Sequence, residues 1–151
     1  MRPSSALSGK RCWRVIATAS RRVRELGKEA ASKELLMKVT NPSEAAEWYA
    51  KWFGATVVRQ GNDAVARIPG MDMRLVETSE PASGTRGRAL DHIGFEVANL
   101  EAFASKLQDG GVTINMPFRT MSLGFLTAIT FITDPWGTYI ELNQGYGSAA
   151  K

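Results

Sequence analysis

His92 is the single histidine of this 151-residue chain. It stands in the run LDHIGFEV, where Ile93, Phe95 and Val97 alternate with His92, Gly94 and Glu96. Glu141 has a similar setting, between Ile140 and Leu142 in TYIELN. Side chains along a strand alternate between its two faces. With the apolar residues of each run turned to a core, His92 and Glu141 both point the other way, from different strands into one cleft. Imidazole and carboxylate together suit Fe(II), Mn, Ni, Zn or Co. An ion with so few protein ligands keeps open positions. A substrate with two neighbouring oxygens can chelate there, and the ion then serves as a Lewis acid for a developing enolate or alkoxide. The plainer alternative is that His92 makes an ordinary hydrogen bond and Glu141 is solvated.

The elements that must position these residues are legible. Leu35, Met37 and Val39 alternate with Glu34, Leu36 and Lys38, which predicts a strand with one face on a core. Asn41 and Pro42 then offer a helix cap and a first helical position. Ala45, Trp48, Tyr49, Trp52 and Phe53 follow at helical spacing, an aromatic face read as core packing, and Gly54 stops the helix. Ala55–Gln60, Asp63–Ile68 and Met71–Glu77 read as strands separated by the turn dipeptides Gly61-Asn62 and Pro69-Gly70. Residues 79–88 (SEPASGTRGR) read as a linker. The order then repeats: a strand over His92–Val97, and a helix capped by Asn99, carrying Leu100, Phe103, Ala104 and Leu107 and ended by Gly110-Gly111. Strands follow near Val112–Asn115, Thr127–Thr133 and Thr138–Asn143, with the turn Asp134-Pro135-Trp136-Gly137 before the last.

The chain therefore reads β-α-β-β-β twice. His92 occupies the position of Glu34, 58 residues on, and Glu141 the position of Arg74, 67 residues on. The extra length falls largely in Met116–Leu126, a long loop or irregular strand whose Phe118, Arg119, Met121 and Phe125 are candidates for contact with an apolar or anionic substrate. Tyr139 alternates onto the face of Glu141 and is a candidate cleft residue. Arg74 cannot bind a metal, because guanidinium stays protonated. It either holds a substrate carboxylate or phosphate or pairs with Glu34 as a structural salt bridge.

LDHIGFEVANLEAFASKLQDGGV, followed by FITDPWGTYIELNQG, resembles the second module of the vicinal oxygen chelate superfamily, the glyoxalase, bleomycin-resistance and extradiol dioxygenase group. KVTNPSEAAEWYAKWFGATV resembles its first module, so the likeness spans roughly residues 33–145. It implies an α+β fold of two tandem βαβββ modules whose mixed sheet curls around a cleft, helices outside. The expected boundaries are a single domain over 32–147, with modules 33–78 and 89–145, between a basic leader (1–31) and a tail (148–151). It further implies a divalent ion (Zn, Ni, Mn, Co or Fe(II)) held by His92, Glu141 and Glu34. Glu34 stands where the family commonly has a first-strand ligand, often histidine. That triad departs from the two-histidine, one-carboxylate set of oxygen-activating iron, so a lyase or isomerase is expected rather than a dioxygenase. Glu141 or Glu34 could shuttle a proton when not ligated. Arg74, Tyr139, Arg119 and Phe125 would bind substrate. The resemblance also implies a homodimer, module one of one chain facing module two of the other. The alternative is a metal-free small-molecule binding protein of the bleomycin-resistance kind, favoured by the absent first-strand histidine and by Arg74.

Composition narrows the rest. Residues 1–30 carry eight Lys/Arg against Glu25 and Glu29, while the other 121 residues carry 11 basic and 13 acidic ones. The overall charge of +4 thus belongs to the leader, and no nucleic-acid contact is expected from the domain. The leader's Arg, Ser and Ala content resembles an organelle transit peptide; a surface helix, a disordered arm or a misassigned start are the plainer readings. A cytoplasmic protein is expected, or an organelle matrix one if residues 1–30 are a transit peptide. The single cysteine, Cys12, excludes an intramolecular disulfide. No apolar run is long enough for a membrane span. There is no P-loop, GxGxxG, serine elbow, CxxC or HExxH, which argues against nucleotide-dependent, hydrolase and zinc-finger chemistry.

Overall fold

The computed structural model describes residues 14–15, 34–123 and 126–145. Residues 34–77 form one four-stranded sheet: β2 (Glu34–Val39), α1 (Pro42–Phe53), β3 (Thr56–Gln60), β4 (Asp63–Ile68) and β5 (Met71–Glu77), in strand order β2-β5-β4-β3. Residues 93–144 repeat the plan: β6 (Ile93–Glu96), α2 (Leu100–Asp109), β7 (Thr113–Leu123), β8 (Leu126–Thr133) and β9 (Tyr139–Gln144), in order β6-β9-β8-β7. In each module the first and last strands run parallel and the other pairs antiparallel. The tandem βαβββ architecture is the one expected, as two separate sheets rather than one closed barrel. A two-residue strand, β1 (Arg14–Val15), lies within the segment read as a leader. It adds antiparallel to the outer edge of β6.

Local chemistry sets these boundaries. Asn41 caps α1 by accepting the Glu44 N–H at 3.1 Å, and Asn99 caps α2 by accepting that of Ala102 at 3.2 Å. Gly54 closes α1 at φ 68°, a left-handed turn that glycine enters without a Cβ penalty. The Gly110-Gly111 pair divides its work. Gly111 takes the positive φ, whereas Gly110 is needed for space: a Cβ there would meet the Trp52 ring at 2.2 Å.

The nine-residue excess of module two resolves as an irregular strand. β7 continues to Leu123 through three register shifts against β8, including one spanning Pro117. A proline is tolerated there because β7 is the outer strand of its sheet.

One core joins the modules. Met73, Leu75, Ala64, Ala66, Ile68 and Val39 from the first sheet cluster with Phe95, Val97, Ile140, Leu142, Ile132 and Ala128 from the second. The aromatic face of α1 lies in the same cluster, Phe53 packing tilted against Phe95 at 4.6 Å and meeting Phe103 edge-on at 6.0 Å. Each sheet thus turns its helix-covered face to the shared core. The opposite faces, carrying Glu34 and Arg74 on one sheet and Glu141 on the other, both turn away from it. Among the described residues no helix is long and apolar enough to cross a membrane.

Candidate functional site

The open face of the second sheet brings His92 and Glu141 together. His92 sits just before β6, and its Nε2 lies 3.3 Å from Glu141 Oε2. Glu141 is on β9, opposite Gly94 in the parallel ladder. The first module repeats this register: Leu36 lies opposite Arg74, and Arg74 Nη1 lies 3.7 Å from Glu34 Oε1. The two offsets read from the sequence are therefore structural equivalences. Each module holds a pair at the same place, histidine–carboxylate in the second and carboxylate–guanidinium in the first. The salt-bridge alternative for Glu34 and Arg74 is the arrangement found. Among the described residues no three His, Cys, Asp or Glu side chains form a group that could hold a metal ion, so Glu34 does not complete such a group with His92 and Glu141 within one chain.

His92 is fixed from its other side. Its Nδ1 lies 2.8 Å from Asp91 Oδ1. The hydrogen bond to His92 holds the Asp91 carboxyl below its ordinary value, followed in effect by the Gly87 N–H. Those contacts depend on residues 79–88, which are more than a tether. Thr85 donates its hydroxyl to the Asp91 carbonyl at 2.7 Å, accepts the Tyr139 N–H at 2.9 Å, and donates its own N–H to Gly137 at 3.0 Å. The segment docks on the Asp134–Gly137 turn where Gly84 and Gly137 meet without side chains; a Cβ on Gly84 would lie 3.0 Å from the Gly137 carbonyl.

Aromatic rings wall the pair. Phe131 lies opposite Glu141 on β8 and meets the His92 ring edge-on at 5.5 Å. Tyr139 stacks on Phe131 at 4.8 Å, and Arg86 lies over its ring at 5.0 Å. Asn143, two residues beyond Glu141 on the same face, donates Nδ2 to Glu141 Oε1 at 3.0 Å. Arg119 is exposed on β7 opposite Ile129, which in turn is opposite Asn143, so it stands two strands from β9. Phe125 lies outside the described residues.

Asp91, Phe131, Asn143 and Arg86 were missed by sequence reasoning. Alternation alone would have found Asn143 and Phe131, since both share the face of Glu141. Asp91 and Arg86 lie in irregular chain, where no periodicity points to them.

No curated protein sequence matches the chain significantly. Among solved structures, TioX from Micromonospora sp. ML1 is 16% identical, with a TM-score of 0.58, covering 76% of this chain and 98% of that one. The fosfomycin resistance protein FosX from Listeria monocytogenes is 19% identical, with a TM-score of 0.57 and coverages of 76% and 91%. A structure titled as a possible glyoxalase from Bacillus cereus is 22% identical, with a TM-score of 0.58 and coverages of 75% and 97%. At such identities these likenesses establish the fold, not the reaction. The family profile of the Glyoxalase/Bleomycin resistance protein/Dioxygenase superfamily matches residues 33–142. With the repeated βαβββ plan and the matching register of its two polar pairs, the chain belongs to that superfamily.

Proposed function

We propose that this protein is a divalent-metal-dependent lyase or isomerase of the glyoxalase type, acting on a small substrate that presents two neighbouring oxygens. The observation that carries the reading is the orientation of His92. Nδ1 lies 2.8 Å from Asp91 Oδ1 and Nε2 3.3 Å from Glu141 Oε2; a ring that donates Nδ1–H to Asp91 would offer its Nε2 lone pair to an ion bound beside Glu141. A carboxylate on the far nitrogen is the usual support of a metal-ligating histidine. The 3.3 Å between Nε2 and Oε2 also suits two ligands of one ion, since donors about 2.1 Å from a metal lie about 3.0–3.4 Å apart at octahedral to tetrahedral angles. His92 and Glu141 would hold the ion, with Glu34 of a second copy as the further ligand; Zn, Ni, Mn, Co and Fe(II) all fit this donor set. When bound, the ion supplies Lewis-acid polarisation of substrate oxygens.

The chain's own residues do the rest. Asp91 fixes the ring of His92, Phe131 and Tyr139 shield one side of the pair from water, and Glu141 can accept a proton when it is not ligated. Elemental analysis of the untagged protein beside His92→Ala tests this. Near-stoichiometric metal falling to background in the variant is the expected result. Metal retained by the variant would remove His92 from the site.

A second reading, metal-free binding of a small anionic or apolar molecule, is favoured by the Glu34–Arg74 pair, which neutralises the carboxylate that a metal would need. A site still empty after soaking in Mn, Ni, Zn and Fe(II) would establish it in place of the first.

A further inference from the structure

Asn143 is 2% exposed, and its Oδ1 is buried without a hydrogen-bond partner among the described residues. Buried acceptors are nearly always satisfied, so an orphan calls for an explanation. The explanation lies at the other end of the same amide, whose Nδ2 donates to Glu141 Oε1 at 3.0 Å. Rotating the amide by half a turn would place Oδ1 against a carboxylate oxygen, two acceptors in contact. The orientation that serves Glu141 is therefore the one that orphans Oδ1. Glu141 is consequently held at Oε1 by Asn143, with Oε2 left 3.3 Å from His92 Nε2. The four residues form one directed chain: Asp91 holds His92, His92 faces Glu141, and Glu141 is held by Asn143.

We infer that Asn143 is a positioning residue for Glu141, locking its carboxylate so that Oε2 is presented beside His92 Nε2. The inference deepens the metal-site reading above and rests on it. It separates two quantities that a structural role would join. A residue kept for packing loses stability when replaced. Replacing a residue kept to aim Glu141 by an apolar group of like size removes the orphaned acceptor but also takes the donor from Glu141 Oε1, two opposed effects that leave the metal-free fold about as stable as before.

The test uses Co²⁺ as probe, with the full-length protein and its Asn143→Leu, Asn143→Asp and His92→Ala variants. Three quantities are measured: Co²⁺ affinity, the visible absorption of bound Co²⁺, and the urea midpoint of the metal-free protein. Asn143→Leu is expected to weaken Co²⁺ binding about 10-fold or more, to alter the visible bands as Glu141 swings free, and to leave the urea midpoint of the metal-free protein about unchanged. Asn143→Asp preserves the shape but sets a carboxylate against Glu141. It is expected to show the same spectral change, and it decides the matter alone if the leucine variant does not fold. Wild-type affinity and spectrum in both variants would overturn the inference. So would weakened binding with an unchanged spectrum and a lowered urea midpoint. If the wild type takes up no Co²⁺, or His92→Ala retains it, the metal-site reading itself fails and this inference falls with it.

Discussion

Tyr49 and Asp134 show how a pair of side chains can tie two modules together. The Tyr49 hydroxyl, on α1, donates to Asp134 Oδ2 at 2.7 Å, in the turn before β9. Asp134 Oδ1 meanwhile accepts the backbone N–H groups of Trp136 and Thr138. Burial raises the Asp134 carboxyl above 3.8 despite these donors. The folded state therefore keeps that proton more tightly than the unfolded chain. The contribution to stability is full below 3.8 and is lost as pH rises through the folded value. Burial, then the charge of Asp134, hold the Tyr49 phenol well above 10.0, so its contribution is full below 10.0 and is lost as pH climbs beyond it. Tyr49→Phe is expected to cost about 1–3 kcal/mol near neutrality, because Asp134 Oδ2 loses its buried donor. It should also flatten the alkaline fall in stability. Urea midpoints of both proteins from acid to strongly alkaline pH check this, and superimposable profiles would show the bond to be idle.

At the scale of elements, α1 and α2 fit closely because of one missing side chain. Gly110 has an ordinary φ of −85°, so its backbone would accept alanine. The obstacle is Trp52, buried to 4% exposure, whose ring lies where the new Cβ would go. Gly110→Ala should destabilise the protein by about 1–3 kcal/mol through overpacking, and Trp52→Leu in the same chain should recover much of that loss in a thermal melt. No recovery would mean the strain lies elsewhere. The Gly110-Gly111 pair also marks what a sequence can and cannot reveal. Two glycines after a periodic run signal a helix stop, and that much is local chemistry. That one of them makes room for a tryptophan 58 residues earlier is a fact of packing between modules. The same divide runs through the site. His92, Glu141 and their equivalence to Glu34 and Arg74 are legible because alternation and repetition are properties of the chain itself. Asp91, Arg86 and the docking of residues 79–88 on the Asp134–Gly137 turn are not, since irregular backbone has no period and its partners are distant in sequence. Met116–Leu126 falls between: its length was visible, but its pairing through three register shifts depends on the strand beside it.

For the whole molecule the decisive feature is that the two open faces turn away from the shared core. His92 and Glu141, the metal donors proposed above, lie on one face, and Glu34 lies on the other, on the edge strand β2 next to Leu36, which is 51% exposed. One chain cannot close a metal site from both faces, whereas a symmetric pair of chains can, each lending its first module to the other's second. The exposed Glu34–Arg74 pair is a weak obstacle, since ion pairs of this kind contribute about 0–1 kcal/mol. A shared site makes a prediction that no in-chain site can meet. Glu34→Ala and His92→Ala, purified separately, should each hold little metal. Unfolded together and refolded as a mixture, half of the randomly formed dimers pair one variant with the other. Each such dimer has one site with both residues lost and one with both intact. The mixture should then recover about a quarter of the wild-type metal, two sites per symmetric dimer being the reference. Metal that stays at the level of the separate variants would place Glu34 outside the site. Full metal in Glu34→Ala alone would show that His92 and Glu141 suffice without a second chain.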